Sequence, residues 1–118
     1  MSLADAADED YCYVTTTGRV TGSPHTIEIW FGLSANTLYI LSGGGEASDW
    51  VKNGRKTRDI SVRLADVTYH GQLRIVTEAE EDALARRLLL EKYAPPRYNG
   101  DLSSWGRTAL PVAIDVKV

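Results

Sequence analysis

Four short stretches of this chain set an apolar residue at every second position. In "HTIEIWFGL" (25–33) Ile27, Ile29, Phe31 and Leu33 alternate with Thr26, Glu28, Trp30 and Gly32, and in "RDISVRL" (58–64) Ile60, Val62 and Leu64 alternate with Asp59, Ser61 and Arg63. "VTYHGQLRIV" (67–76) puts Val67, Tyr69, Leu73 and Ile75 on one side, with Gly71 as a bulge or tight bend, and "LPVAIDVKV" (110–118) does the same with Val112, Ile114, Val116 and Val118. A period of two belongs to a strand with one buried face; a helix would scatter these residues round its axis. Trp30 therefore points away from the aliphatic side of its run.

"YCYVTTT" (11–17) and "TLYILS" (37–42) add two β-rich runs, and the connections "GRVTGSP", "SANT" and "AD" carry turn residues. Against these stands one helical pattern, "TEAEEDALARRLLLEKYAPP". Thr77 and Glu80 match a capping box, acidic residues fill the first turn, and Pro95 and Pro96 end the run. "ASDWVKNG" reads as a short helix capped by Ser48 and closed by Gly54, and "SSWGRTA" as a helical turn. The expectation is a mainly β, α+β fold: six antiparallel strands in a closed or nearly closed barrel, with one long helix and one short one. Closure removes exposed sheet edges.

At 118 residues the chain suits one domain. Residues 1–10 form an acidic segment that need not be ordered, and 11–118 the barrel. A charged fraction of 25% beside 43% hydrophobic residues excludes a disordered chain. A net charge of −3 and a pI near 5.3 lack the basic surface on which nucleic-acid binding depends. No apolar run approaches the length of a transmembrane segment, and "MSLADAADED" has neither the basic start nor the apolar stretch of a secretory signal. The lone Cys12 excludes an internal disulfide and fits a reducing compartment, so the cytoplasm is the expected location.

Few residues offer chemistry. His25 and His70 are the only histidines and have no ligand spacing, so no metal site is expected. Cys12 sits within an apolar strand pattern as a small buried thiol, and Glu28, a single carboxylate on a strand, is solvated or ion-paired more often than catalytic. "LSGGGEASDW" (41–50) admits two readings. It is either a slack glycine turn or a place where successive backbone N–H groups converge on an anion, with Arg19, Arg55, Lys56 and Arg58 as nearby cations. Trp30, Trp50 and Trp105 lie near polar or glycine-containing segments, where an indole either flanks a planar ring or packs in the core. Tyr93 and Tyr98, at the end of the long helix, either cover a pocket or pack on the barrel.

Together "TTTGRVTGSPH", "SGGGEASDWVKN" and "LEKYAPP" resemble the deazaflavin-dependent nitroreductases, within the split-barrel superfamily that includes pyridoxamine phosphate oxidases and other FMN-binding proteins. The resemblance covers nearly all of the chain beyond the acidic start. It implies a homodimer that binds coenzyme F420, with FMN as the alternative, and transfers hydride to a small acceptor such as a quinone or nitro compound. It further implies that Arg19, Val20 and Thr21 border the cofactor, that His25 to Trp30, with Thr26 among them, lie along it, that Ser42, Gly43 and Gly44 cradle its phosphate, and that Trp50 and Asn53 line the site. Tyr93 or Tyr98 would stand at the substrate pocket as the only candidates for a catalytic side chain. The chain departs from the family pattern where Val20, Gly43 and His25 replace basic residues and Thr57-Arg58 replaces Asn-Pro. Those losses weaken recognition of a polyanionic tail. Arg55, Lys56 and Arg58 are the cations left to compensate, and a non-enzymatic barrel binding a fatty acid or other small apolar ligand is the rival reading.

Overall fold

The computed structural model describes residues 3–117. After a 3₁₀ turn at Leu3–Ala6 come β1 (Cys12–Thr17), β2 (Pro24–Ile29), β3 (Gly32–Ser34) and β4 (Thr37–Ser42). A second 3₁₀ turn, Gly45–Ala47, leads to α1 (Asp49–Lys56), then β5 (Asp59–Leu64), β6 (Val67–Ile75), α2 (Ala79–Lys92), α3 (Ser103–Thr108) and β7 (Leu110–Lys117). The strands form one antiparallel sheet in the order β2-β1-β5-β6-β7-β4-β3. This is the expected antiparallel split barrel, with seven strands rather than six.

The extra strand comes from a break inside "HTIEIWFGL". β2 pairs with β1 at one edge of the sheet and β3 with β4 at the other, so the chain crosses the barrel's opening at Trp30–Phe31. Backbone groups taken out of a ladder need other partners, and α2 supplies them. The Phe31 N–H donates to the Tyr93 hydroxyl at 3.1 Å, and the Phe31 carbonyl accepts from Lys92 Nζ at 3.0 Å. The alternation runs through the break undisturbed, because Ile27, Ile29, Phe31 and Leu33 all reach the main core.

That core fills the barrel with Cys12, Val14, Phe31, Leu38, Ile40, Val62, Leu73 and Ile114. A second cluster, including Tyr39, Leu41, Ala85, Leu89, Tyr93 and Ala113, lies where α2 covers the other face of β4 and β7. β4 is consequently buried on both faces along most of its length.

Three local expectations change. α2 starts after Glu78 with no side-chain cap, so the Thr77 capping box does not form. Gly54 lies inside α1 rather than closing it: a Cβ there would stand 2.5 Å from Leu73 Cδ1, so the helix needs glycine to approach β6. Gly71 makes no bulge, since its register is continuous with both neighbours, and an added Cβ would meet the Asp115 carbonyl oxygen at 2.7 Å. Val118, expected on the last buried face, lies outside the described residues.

Candidate functional site

The turn from β1 to β2 is closed by its own backbone: the Gly18 N–H donates to the Ser23 carbonyl at 2.7 Å and the Gly22 N–H to the Gly18 carbonyl at 2.9 Å. His25 lies across this turn, so near Gly18 that a Cβ there would be 2.7 Å from Nε2. Asn53 fastens the turn to α1. Its Oδ1 accepts from the Arg19 backbone N–H (3.1 Å) and from Arg19 Nη1 (2.9 Å), while its Nδ2 donates to Thr16 Oγ1 at 3.3 Å. Asn53 is buried, and a polar side chain in that position must be hydrogen-bonded to be tolerated. Arg19 Nη2 also meets Asp49 Oδ1 at 3.1 Å, and Lys56 Nζ donates to the Arg19 carbonyl at 2.8 Å.

Between this turn, β2 and α1 opens a groove of about 510 Å³. Of the residues named from sequence, Arg19, Val20, Thr21, His25, Thr26, Trp50 and Asn53 all line it. Gly18, Ile27 and Asp49 complete the lining. Asp49 escaped the sequence reading, although its spacing to Trp50 and Asn53 puts all three on one side of a helix. Val20, 89% exposed, stands at the lip, and Trp50 backs onto the main core.

The glycine loop is not part of this lining. Ser42 is buried and its Oγ donates to the Gly45 carbonyl at 3.1 Å and shares a 3.0 Å hydrogen bond with Ser48 Oγ. Gly44 lies against Ser48 Oγ, so a Cβ there would turn that hydroxyl away from its bond to Ser42, and Gly45 is held to glycine by its φ of +62°. Gly43 has room for a side chain, its nearest neighbour being Trp105 at 3.7 Å. The loop's own folding thus accounts for two of the three glycines.

Trp30 also lies away from the groove lining. It stacks on Tyr93 with ring centres 4.1 Å apart and meets Tyr98 and Trp105 edge-on at 5.1 and 5.7 Å. Tyr93 is almost wholly buried, its hydroxyl donates to the Asp10 carbonyl at 2.8 Å, and burial pushes its pKa up to about 12. Tyr98 is 41% exposed. Burial likewise pushes the Cys12 thiol up to about 12, too high for a thiolate nucleophile near neutral pH. Arg55 pairs with Glu46 at 2.7 Å, and none of Arg55, Lys56 and Arg58 lines the groove. Among the described residues no cluster of His, Cys, Asp and Glu could hold a metal ion, and no helix is long and apolar enough to cross a membrane.

Fold and groove together define a split-barrel protein whose candidate ligand site lies between a β-turn and a short helix. The family model described as F420H(2)-dependent quinone reductase matches residues 5–117, and the chain belongs to that family. No curated protein matches it. A conserved hypothetical protein from Mycobacterium tuberculosis, Rv2991, is similar at 21% identity and a TM-score of 0.77, over 100% of this chain and 82% of that one. An F420-H2 dependent reductase, FDR-A, gives 18%, 0.71, 92% and 95% in the same order. HutZ, the heme storage protein from Vibrio cholerae, gives 9%, 0.76, 98% and 88%. At these identities the likeness is one of fold, and a shared fold does not choose a ligand.

Proposed function

We propose that this protein is an F420-dependent oxidoreductase that passes a hydride to a small organic acceptor such as a quinone or nitro compound. The observation that carries this reading is the convergence of Arg19, Val20, Thr21, His25, Thr26, Trp50 and Asn53 on one groove of about 510 Å³. These residues fit a planar ring bearing one anionic group. Trp50, Ile27 and Val20 present apolar surface for the ring, and Arg19 presents a guanidinium with two of its five N–H groups occupied by Asn53 and Asp49. Bound there, F420H2 would supply the hydride. The protein's work is to orient the ring, fix the anion and limit water, using a turn held rigid by Asn53 and Lys56. Homodimerisation is part of the proposal, supported by the exposed residues Pro24–Thr26 on the edge strand β2 beside the groove.

FMN is the second reading, favoured because the sole arginine in the groove lining is shared with an aspartate. Anaerobic titration with F420, reduced F420 and FMN separates the two. Saturable quenching by F420, followed by reoxidation of F420H2 on adding a quinone or nitroaromatic, is the expected result. Binding of FMN alone would transfer the reading to flavin chemistry, and no response to any of the three would end it.

A further inference from the structure

We propose that Asp49 sets how strongly this groove accepts an anionic ligand, by occupying the Arg19 guanidinium until the ligand's phosphate displaces it. The proposal rests on the reading of the groove as a deazaflavin or flavin site. Arg19 and Asp49 are the oppositely charged residues of the lining, with His25 the third titratable one, and their formal charges cancel while His25 is neutral. The two are held differently. Arg19 is anchored through its backbone N–H and Nη1 to buried Asn53, and its side chain is 32% exposed. Asp49 makes one contact with it, 3.1 Å to Nη2, and its side chain is 84% exposed. The arginine therefore keeps its place without the aspartate, whereas the aspartate can swing into water.

A phosphate reaching the Nη2 edge would compete with the Asp49 carboxylate for the same donors and would feel its charge at close range. Asp49 is also the first residue of α1, so the carboxylate occupies the helix end where a second anion would otherwise be favoured. Lys56 lies on the carbonyl side of Arg19 and pairs with its backbone oxygen, outside the groove lining. The ring should be indifferent to the exchange, since Trp50, Ile27 and Val20 carry no charge. Asp49 is in this sense a specificity residue, which lowers affinity for phosphorylated forms relative to the bare ring.

The test compares two ligand pairs on the whole chain: F420 against its chromophore lacking the phosphodiester side chain, and FMN against riboflavin. Fluorescence titration gives the affinity ratio within each pair for the wild type, Asp49→Asn, Arg19→Gln and the double variant, with circular dichroism confirming the fold of each. In Asp49→Asn the phosphorylated member of a pair should bind about three- to ten-fold tighter while the other shifts less than about two-fold. The gain should shrink as salt is raised and be clearly smaller in the Arg19→Gln background, where only the direct repulsion by Asp49 is left to relieve. An equal change for both members of each pair, no change in the ratio, or a gain of undiminished size in the Arg19→Gln background overturns the proposal while the ring site stands. Binding of none of the four ligands to any form overturns the ring-site reading and the proposal together.

Discussion

Arg74 holds two carboxylates at once. Nη1 and Nη2 each lie 2.6 Å from an oxygen of Glu81, Nε lies 2.7 Å from Asp115 Oδ2, and the Tyr39 hydroxyl donates to Glu81 at 2.6 Å. One residue from α2 is thereby bound to side chains from β6 and β4, and through Arg74 to β7. The Arg74 guanidinium, seconded by the Tyr39 hydroxyl, holds the Glu81 carboxyl down from 4.5 to about 2. A carboxyl depressed on folding stabilises the protein above its unfolded pKa and loses that contribution as pH falls through the folded one. Glu81→Gln should therefore lower stability by about 1 kcal/mol at pH 7, roughly 4 °C in Tm, given the partial exposure of the pair. Thermal melts of both proteins should show that gap closing between about pH 4.5 and 2; a gap independent of pH would mean that the glutamate acts through packing. None of this network was legible in the sequence, where Glu81 is one acid in a helix's first turn and Arg74 one polar position in an alternating strand.

The hairpins show how turn chemistry and strand pattern separate. Ala35, between β3 and β4, and Ala65, between β5 and β6, both adopt φ of 52° in two-residue connections, a region where Cβ crowds the backbone. The registers on either side are continuous, so the strands impose these turns against local preference. Ala65→Gly should stabilise the protein by about 0.5–1 kcal/mol, because relief of that crowding exceeds the added freedom of the unfolded chain. A rise in the urea midpoint with unchanged m-value is the expected reading, and a fall would show that the turn relaxes to suit alanine. Period-two patterning gave four of the six strand runs because it reports one-sided burial, and β-rich composition gave the other two, among them β4, which is buried on both faces. It could not reveal the break at Trp30–Phe31, where the pattern persists while the hydrogen-bonding partner changes from β1 to β4. Helix ends were misplaced for a related reason: Gly54 resembles a terminator in sequence, yet its role is close contact with Leu73.

The candidate site was legible where residues near in sequence share one element, as with Arg19 to Thr26 on the first turn and strand, or Trp50 and Asn53 on α1. What the sequence could not show is that the Ser42 hydroxyl is taken up within its own loop, by the Gly45 carbonyl and Ser48 Oγ. Nor could composition show what becomes of the acidic start of the chain. Leu3 and Ala6 are 4% and 6% exposed and belong to the main core. Beyond them, Arg97 donates to the Asp8 carbonyl at 3.1 Å and pairs with Asp10 at 3.0 Å, and the Tyr93 hydroxyl reaches the Asp10 carbonyl. We propose that residues 3–10 unfold together with the barrel, as a strap anchored by its apolar residues and secured by the loop after α2. Buried leucine truncations remove both transfer energy and packing, whereas partly exposed ion pairs contribute little, so the two kinds of contact should be unequal. Leu3→Ala should cost about 2 kcal/mol in cooperative urea unfolding, and Arg97→Ala less than about 1 kcal/mol beyond its packing. If Leu3→Ala leaves the midpoint in place while exposing the strap to protease, the segment frays on its own and the barrel stands without it.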